Sequence, residues 1–96
     1  QSNIEGLLID EIHKAINDGA GIIINAGALT HTSIGILDAL NMFKGPKIEI
    51  HITNVHARES FRHKSYISPV ASGIIAGLGV NSYLLAIEAL QNLIND

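Results

Sequence analysis

Residues 47–66 read KIEIHITNVHARESFRHKSY, and two patterns meet inside them. The first seven residues alternate. Ile48, Ile50 and Ile52 fall on one side; Lys47, Glu49, His51 and Thr53 fall on the other. A period of two predicts a strand with one apolar and one polar row. From Asn54 the alternation stops and the chain becomes polar. Residues 51–66 hold three of the five histidines (His51, His56, His63) and both arginines, Arg58 and Arg62. A loop with one helical turn is expected there.

Toward the N-terminus, GIIIN (21–25) is a short apolar run of the kind found in a parallel strand covered on both faces. SNIE (2–5) has the form of a capping box with Ser2 as N-cap, followed by Ile4, Leu8, Ile12 and Ile16 at helical spacing. Gly19 suits a left-handed cap. THTS (30–33) offers hydroxyl caps for a helix carrying Ile34, Leu37 and Leu40, which KGP ends. Toward the C-terminus, ASGIIAGLG (71–79) reads as a further strand. NSYLLAIEALQNLI reads as a helix with Leu84, Ile87, Leu90 and Ile94 on one stripe. The order α–β–α–β–loop–β–α predicts a parallel sheet with right-handed crossovers. Residues 1–96 are expected to form a single α/β domain.

Composition narrows the function classes. A net charge of −3 gives no electrostatic support to nucleic-acid binding. The absence of cysteine removes disulfides and thiolate metal sites. No apolar run has the length of a membrane span, and no leader pattern opens the chain, so a cytoplasmic protein is expected. The chain begins with Gln1 on a helix signal, which suggests processing or a longer parent.

In open α/β sheets, ligands bind beyond the carboxyl ends of the strands. Two such ends bring Asn25 and His31, then Glu49, His51, Thr53, Asn54, His56, Arg58 and Arg62, to one rim. That set of amide, imidazole, carboxylate and guanidinium suits an anionic ligand. Each residue also has a plain reading. A strand-end histidine is commonly structural, Arg58 and Glu59 form an exposed pair worth under ~1 kcal/mol, and His63 and Lys64 are surface. The histidines at 51, 56 and 63 match no known metal-ligand spacing, so no metal is expected. GLGVNS (77–82) echoes a dinucleotide-binding turn but has Ser82 in place of the third glycine.

IINAGALTHTS (23–33), EIHITNVHARESFRHKSYISPVASGIIAGLG (49–79) and YLLAIEAL (83–90) together resemble type II 3-dehydroquinate dehydratase, type II dehydroquinase. The resemblance implies a flavodoxin-like three-layer α/β sandwich with a parallel sheet, lacking here its N-terminal β-α-β portion. It implies a dodecamer, a tetramer of trimers, that dehydrates 3-dehydroquinate to 3-dehydroshikimate in the shikimate or quinate pathway with no cofactor. It assigns His51 as general acid, Glu49 as its orienting carboxylate and Asn25 as the amide near the enolate. Ile52 and Thr53 match the backbone grip on the substrate carboxylate, with Thr53 standing where the family often has Ser. His31 and Arg62 match substrate-hydroxyl contacts. Asp38 matches a residue reaching a neighbouring subunit's site, and Arg58 a motif arginine close by. Ala26-Gly27 departs from the family's Pro-Gly. The family's base, a Tyr, and its lid Arg lie N-terminal to the matched residues; Tyr66 and Tyr83 do not align with that base. The competing class is a non-catalytic anion-binding or interaction module using the same rim.

Overall fold

The structure, a computed structural model, describes Ser2 and residues 4–95; Gln1, Asn3 and Asp96 lie outside it. The expectation concerning Gln1, and the middle of the SNIE box, therefore fall outside the described residues. Three helices, α1 (Glu5–Asp18), α2 (Ile34–Met42) and α3 (Asn81–Asn95), surround three strands, β1 (Ile22–Ile24), β2 (Lys47–His51) and β3 (Gly73–Ala76). The sheet is parallel, in the order β1-β2-β3. Ile23 pairs with Ile48, and Ile50 with Ile75. The chain crosses from β1 to β2 through a 3₁₀ turn (Gly27–His31) and α2. It crosses from β2 to β3 through three short 3₁₀ turns rather than a helix. None of the helices is long and apolar enough to cross a membrane, among the described residues.

β2 is the central strand, and the alternation in its sequence sorts its side chains between two layers. Ile48 and Ile50 pack with Ala86 of α3, flanked by Ile23, Ile75, Tyr83 and Leu90. On the opposite face, Leu8 and Ile12 of α1 join Ile36, Ala39 and Leu40 of α2, together with Ile24 and Ile67. Burying a side chain such as Ile36, Leu40 or Ile50 fully contributes about 1.5–3 kcal/mol. The polar row of β2 is not a solvent row. Glu49 and His51 are only 1% and 6% exposed, because the 65–70 segment closes over them. Lys47 serves a different end: its Nζ donates to the carbonyls of Leu40 and Phe43 and so caps the C-terminus of α2.

Five local expectations are corrected. Ile4, not Ser2, is the N-cap of α1. The Ser2 hydroxyl accepts from the Ile4 N–H at 3.0 Å, while Glu5 accepts at 2.6 Å from Ser33 Oγ, so a tie between helices replaces the local box. Gly19 has φ −89°, an extended conformation rather than a left-handed one. In α2, Ile34 points outward while Ile36, Ala39 and Leu40 point in. In α3 the inward residues are Ser82 and Ala86; Leu84 and Ile87 are exposed at 67% and 47%, and Ile94 also faces outward. Small residues let α3 lie close on the sheet, and of the expected stripe only Leu90 packs inward, beside Tyr83. Ile52, expected to continue the apolar row, lies past the end of β2 and is partly exposed.

β1 has no partner on its outer side among the described residues. A groove of about 510 Å³ runs beside it, lined by Leu7, Leu8, Ile12, Ala15 and the β1 isoleucines.

Ser33 caps α2 by accepting from the Ile36 N–H at 2.9 Å, and it also donates to Glu5. Ser33→Ala is expected to cost about 1–2 kcal/mol, read as a lower urea midpoint with an unchanged slope. A midpoint equal to that of the native chain would show that neither bond matters.

Candidate active site

The ends of β1 and β2 open on the same side of the sheet. Between them lies a cavity of about 190 Å³ lined by Asn25, Gly27, Ala28, His31, His51, Ile52, Thr53, Val55, Arg58 and Arg62. Seven of the nine residues singled out from sequence are therefore in its wall. Glu49 stands behind His51 rather than in the wall. Asp38 is exposed on α2, away from the lining. The glycine turn at 77–82, with its faint nucleotide echo, does not line the cavity either. Gly77 and Gly79 have φ of 87° and 63°, and their N–H groups bond the carbonyls of His51 and Ile52, which pins the chain where β2 ends.

His51 and Glu49 form the centre. His51 Nε2 lies 2.6 Å from Glu49 Oε2. Ser65 Oγ donates to the same oxygen at 2.9 Å, and Ser68 Oγ donates to Oε1. Burial pushes the Glu49 carboxyl up. The hydrogen bonds from His51, Ser68 and Ser65, and then the charge of His51, outweigh it and hold the pKa below the ordinary 4.5. An ionised carboxylate only accepts, so the Nε2 proton belongs to His51. Its Nδ1, which has no hydrogen-bond partner among the described residues, is left to exchange a proton with a ligand.

His31 stacks on His51 with ring centroids 6.3 Å apart and an angle of 15° between planes. Its Nδ1 lies 2.7 Å from the Lys64 carbonyl, an acceptor, so Nδ1 carries the proton. Asn25 is locked at both ends: Oδ1 accepts from the Gly27 N–H, and Nδ2 donates to the Tyr83 hydroxyl, each at 3.1 Å. The N–H groups of Ile52 and Thr53 make no hydrogen bond outside the sheet ladder among the described residues. Arg62 Nε donates to Glu59 Oε2 at 2.6 Å. The expected partner of Glu59 was Arg58; the 3₁₀ turn Ser60–Arg62 brings Arg62 back over Glu59 instead. The backbone hydrogen bond of Glu59 itself, then Arg62, lowers that carboxyl's pKa.

Four contributors escaped the sequence reading. Ser65 and Ser68 sit in SYIS, where no spacing signals a carboxylate partner. Tyr83 reaches Asn25 from another element, and Lys64, read as plain surface, supplies the carbonyl that orients His31. The chemistry available is anion binding beside an imidazole whose proton a buried carboxylate controls.

Glu49's depressed pKa fixes the sign of a pH effect. Its stabilising contribution is present above the unfolded value of 4.5 and is lost as pH falls through the folded value. The stability difference between the native chain and Glu49→Gln is expected to narrow as pH drops from neutral to below 4.5. A difference that stays constant in acid would contradict the ionised pair.

A family model described as dehydroquinase class II matches residues 1–91. The chain is 56% identical over 93 residues to a 3-dehydroquinate dehydratase of Cereibacter sphaeroides, and 59% identical over 93 residues to 3-dehydroquinate dehydratase 2 of Agrobacterium fabrum. Each match covers 97% of this chain and 63% of the relative, so the chain spans less than two thirds of those proteins' length. The crystal structure of type II dehydroquinase from Butyrivibrio crossotus superposes with a TM-score of 0.91 at 49% identity, covering 95% of this chain and 64% of that one. The type II dehydroquinase from Propionibacterium acnes gives 0.87 at 43% identity, covering 100% and 68%. With its parallel α/β sandwich and the match along nearly all of its length, the chain belongs to the class II dehydroquinase family.

Proposed function

We propose that the full protein dehydrates 3-dehydroquinate to 3-dehydroshikimate, and that residues 1–96 form a single α/β domain carrying the proton-donor half of the site. The observation that carries this reading is the buried Glu49–His51 pair opening on a cavity rimmed by Arg58 and Arg62. The proton removed lies alpha to a carbonyl, so the intermediate is an enolate, and loss of the C1 hydroxyl then needs a proton. His51 supplies that proton. The substrate carboxylate takes the N–H groups of Ile52 and Thr53, and guanidinium forks nearby favour an anion. Asn25, held rigid by Gly27 and Tyr83, faces the enolate; His31 and Arg62 take substrate hydroxyls. Proton transfers alone complete this elimination, so no metal or organic cofactor enters the scheme.

The base and a lid arginine would come from a segment preceding the matched residues. A tyrosine has an unperturbed pKa near ~10 and works at neutral pH only beside a cation. A strand of that segment would pair with the open edge of β1 and cover the groove beside it, removing an apolar edge that invites aggregation. Asp38, exposed on α2, would serve a neighbouring subunit's cavity in a dodecamer built as a tetramer of trimers. The setting proposed is the cytoplasm, in the shikimate or quinate pathway.

In the full chain, His51→Ala is expected to lower kcat by ~10²–10⁴ with KM little changed, as for a general acid. Tyr66→Phe is expected to leave the rate alone. An intact rate in His51→Ala would remove its role and leave an anion-binding module as the better reading. Asp38→Ala is expected to reduce activity more than Glu88→Ala, a surface carboxylate on α3; equal rates in the two would remove the shared-site role of Asp38.

A further inference from the structure

We propose that Ser65 and Ser68 are positioning residues for the dehydration: their hydroxyls hold Glu49 as an anion against His51 and so keep His51 a cationic proton donor. The proposal rests on the dehydratase reading and adds two residues to its machinery.

The hydrogen-bond inventory leads to it. Ser65 Oγ accepts from the N–H groups of Ile67 and Ser68, each at 3.0 Å. Both of its acceptor positions are thus occupied, and its single proton has one destination, Glu49 Oε2 at 2.9 Å. Ser68 Oγ meets the other oxygen, Oε1. The carboxylate therefore receives three donors, Ser65 and His51 on one oxygen and Ser68 on the other. A protonated Glu49 would have to donate its own O–H. While Nε2 of His51 keeps its proton, the one of the three groups with acceptor positions open is the Ser68 hydroxyl, so the bond from Ser68 would have to reverse. With all three groups donating, the arrangement favours the anion, although Glu49 is 1% exposed.

The consequence falls on His51. As proton donor, His51 holds one proton on Nε2 for Glu49 and one on Nδ1 for the leaving hydroxyl, and the anion is the partner that this doubly protonated ring requires. Without the serine donors, burial favours the neutral carboxylic acid. The proton between the pair then shifts to Glu49, and His51 becomes a neutral imidazole, a far weaker acid. The total number of protons is the same in both forms; only their placement differs. The other charged or titratable groups facing the pair are His31, stacked on His51 from the 27–31 turn, and Arg58 and Arg62 across the cavity. Both guanidiniums work against a cationic His51, which makes the anionic state of Glu49 more consequential. The serines lie in the 65–70 segment, which also buries Ile67 in the core, so the fold itself brings them over β2.

The test uses the full chain and the variants Ser68→Ala, Ser68→Thr and Ser65→Ala with Ser68→Ala. Ser68→Ala leaves both backbone contacts of Ser65 in place and is the variant least exposed to misfolding. The alkaline limb of its kcat profile is expected to move to lower pH by about one unit, a roughly tenfold loss on that limb. Activity returns toward the native rate at lower pH, and Ser68→Thr restores the native profile. A structural role alone would lower activity at every pH without moving the limb. Infrared spectroscopy supplies a readout independent of turnover. The unliganded double variant at neutral pH is expected to show a protonated-carboxyl band that the native chain lacks and that adding Glu49→Gln removes. An unmoved alkaline limb in folded Ser68→Ala, or no such band in the folded double variant, would overturn the proposal. A native full chain inactive on 3-dehydroquinate fails the dehydratase reading by itself, before any serine is changed.

Discussion

A carboxylate in the middle of the central strand is the constraint around which this molecule is arranged. Glu49 belongs to β2, pairs with Ile74 across the sheet and is almost wholly removed from water. Burying an unpaired charge is costly, and removing one partner of a buried pair typically costs about 3–5 kcal/mol. The fold meets that cost with three donors from two places: His51, two residues along the same strand, and Ser65 and Ser68 from the crossover. The crossover between β2 and β3 therefore does more than link strands. Ile67 anchors it in the core, and Ser72 Oγ accepts from the Lys47 N–H at the start of β2. Ser65 and Ser68, on either side of Ile67, then seal the carboxylate.

The cavity follows from the same arrangement. His51 occupies the last position of β2, so the carboxylate that controls it sits inside the sheet while its ring reaches the open end. The glycine turn after β3 bonds the carbonyls of His51 and Ile52, which stops the strand there. Asn25 ends β1 and is held by hydrogen bonds on both sides of its amide. Residues 54–64, with the 3₁₀ turns Val55–Ala57 and Ser60–Arg62, supply the arginines. Around a rigid imidazole and a rigid amide, the fold thus places long cationic side chains that can adjust to a ligand.

Much of this was legible in the sequence because it follows from periodicity. The alternation over 47–53 gave the strand, which ends at His51, and the side of it that carries chemistry, and the strand-end rule brought Asn25, His31, His51, Arg58 and Arg62 to one rim. Helix faces were harder. In α3 the sheet selects Ser82 and Ala86 for close approach; of the expected stripe Leu90 packs on the core, whereas Leu84, Ile87 and Ile94 face outward. Caps settled by long-range contacts were equally hidden: Glu5 looks like half of a capping box but bonds Ser33, 28 residues away. The same holds for Tyr83 with Asn25 and for both serines with Glu49. A hydroxyl carries no periodic signature, and its partner is fixed only once the layers are packed. The resemblance to the dehydroquinases named the residues of the rim, whereas the residues that hold them in place had to come from the geometry.

The most direct test of the central claim is a crystal structure of the full chain with an unreactive cyclic hydroxy acid resembling 3-dehydroquinate. The account predicts the ligand carboxylate on the N–H groups of Ile52 and Thr53, and the ring hydroxyl beside that carboxylate within hydrogen-bond reach of His51. The Glu49–His51 contact is predicted to remain as it is here. A ligand seated at the 77–82 turn, or one whose carboxylate pairs elsewhere and leaves His51 untouched, would contradict it.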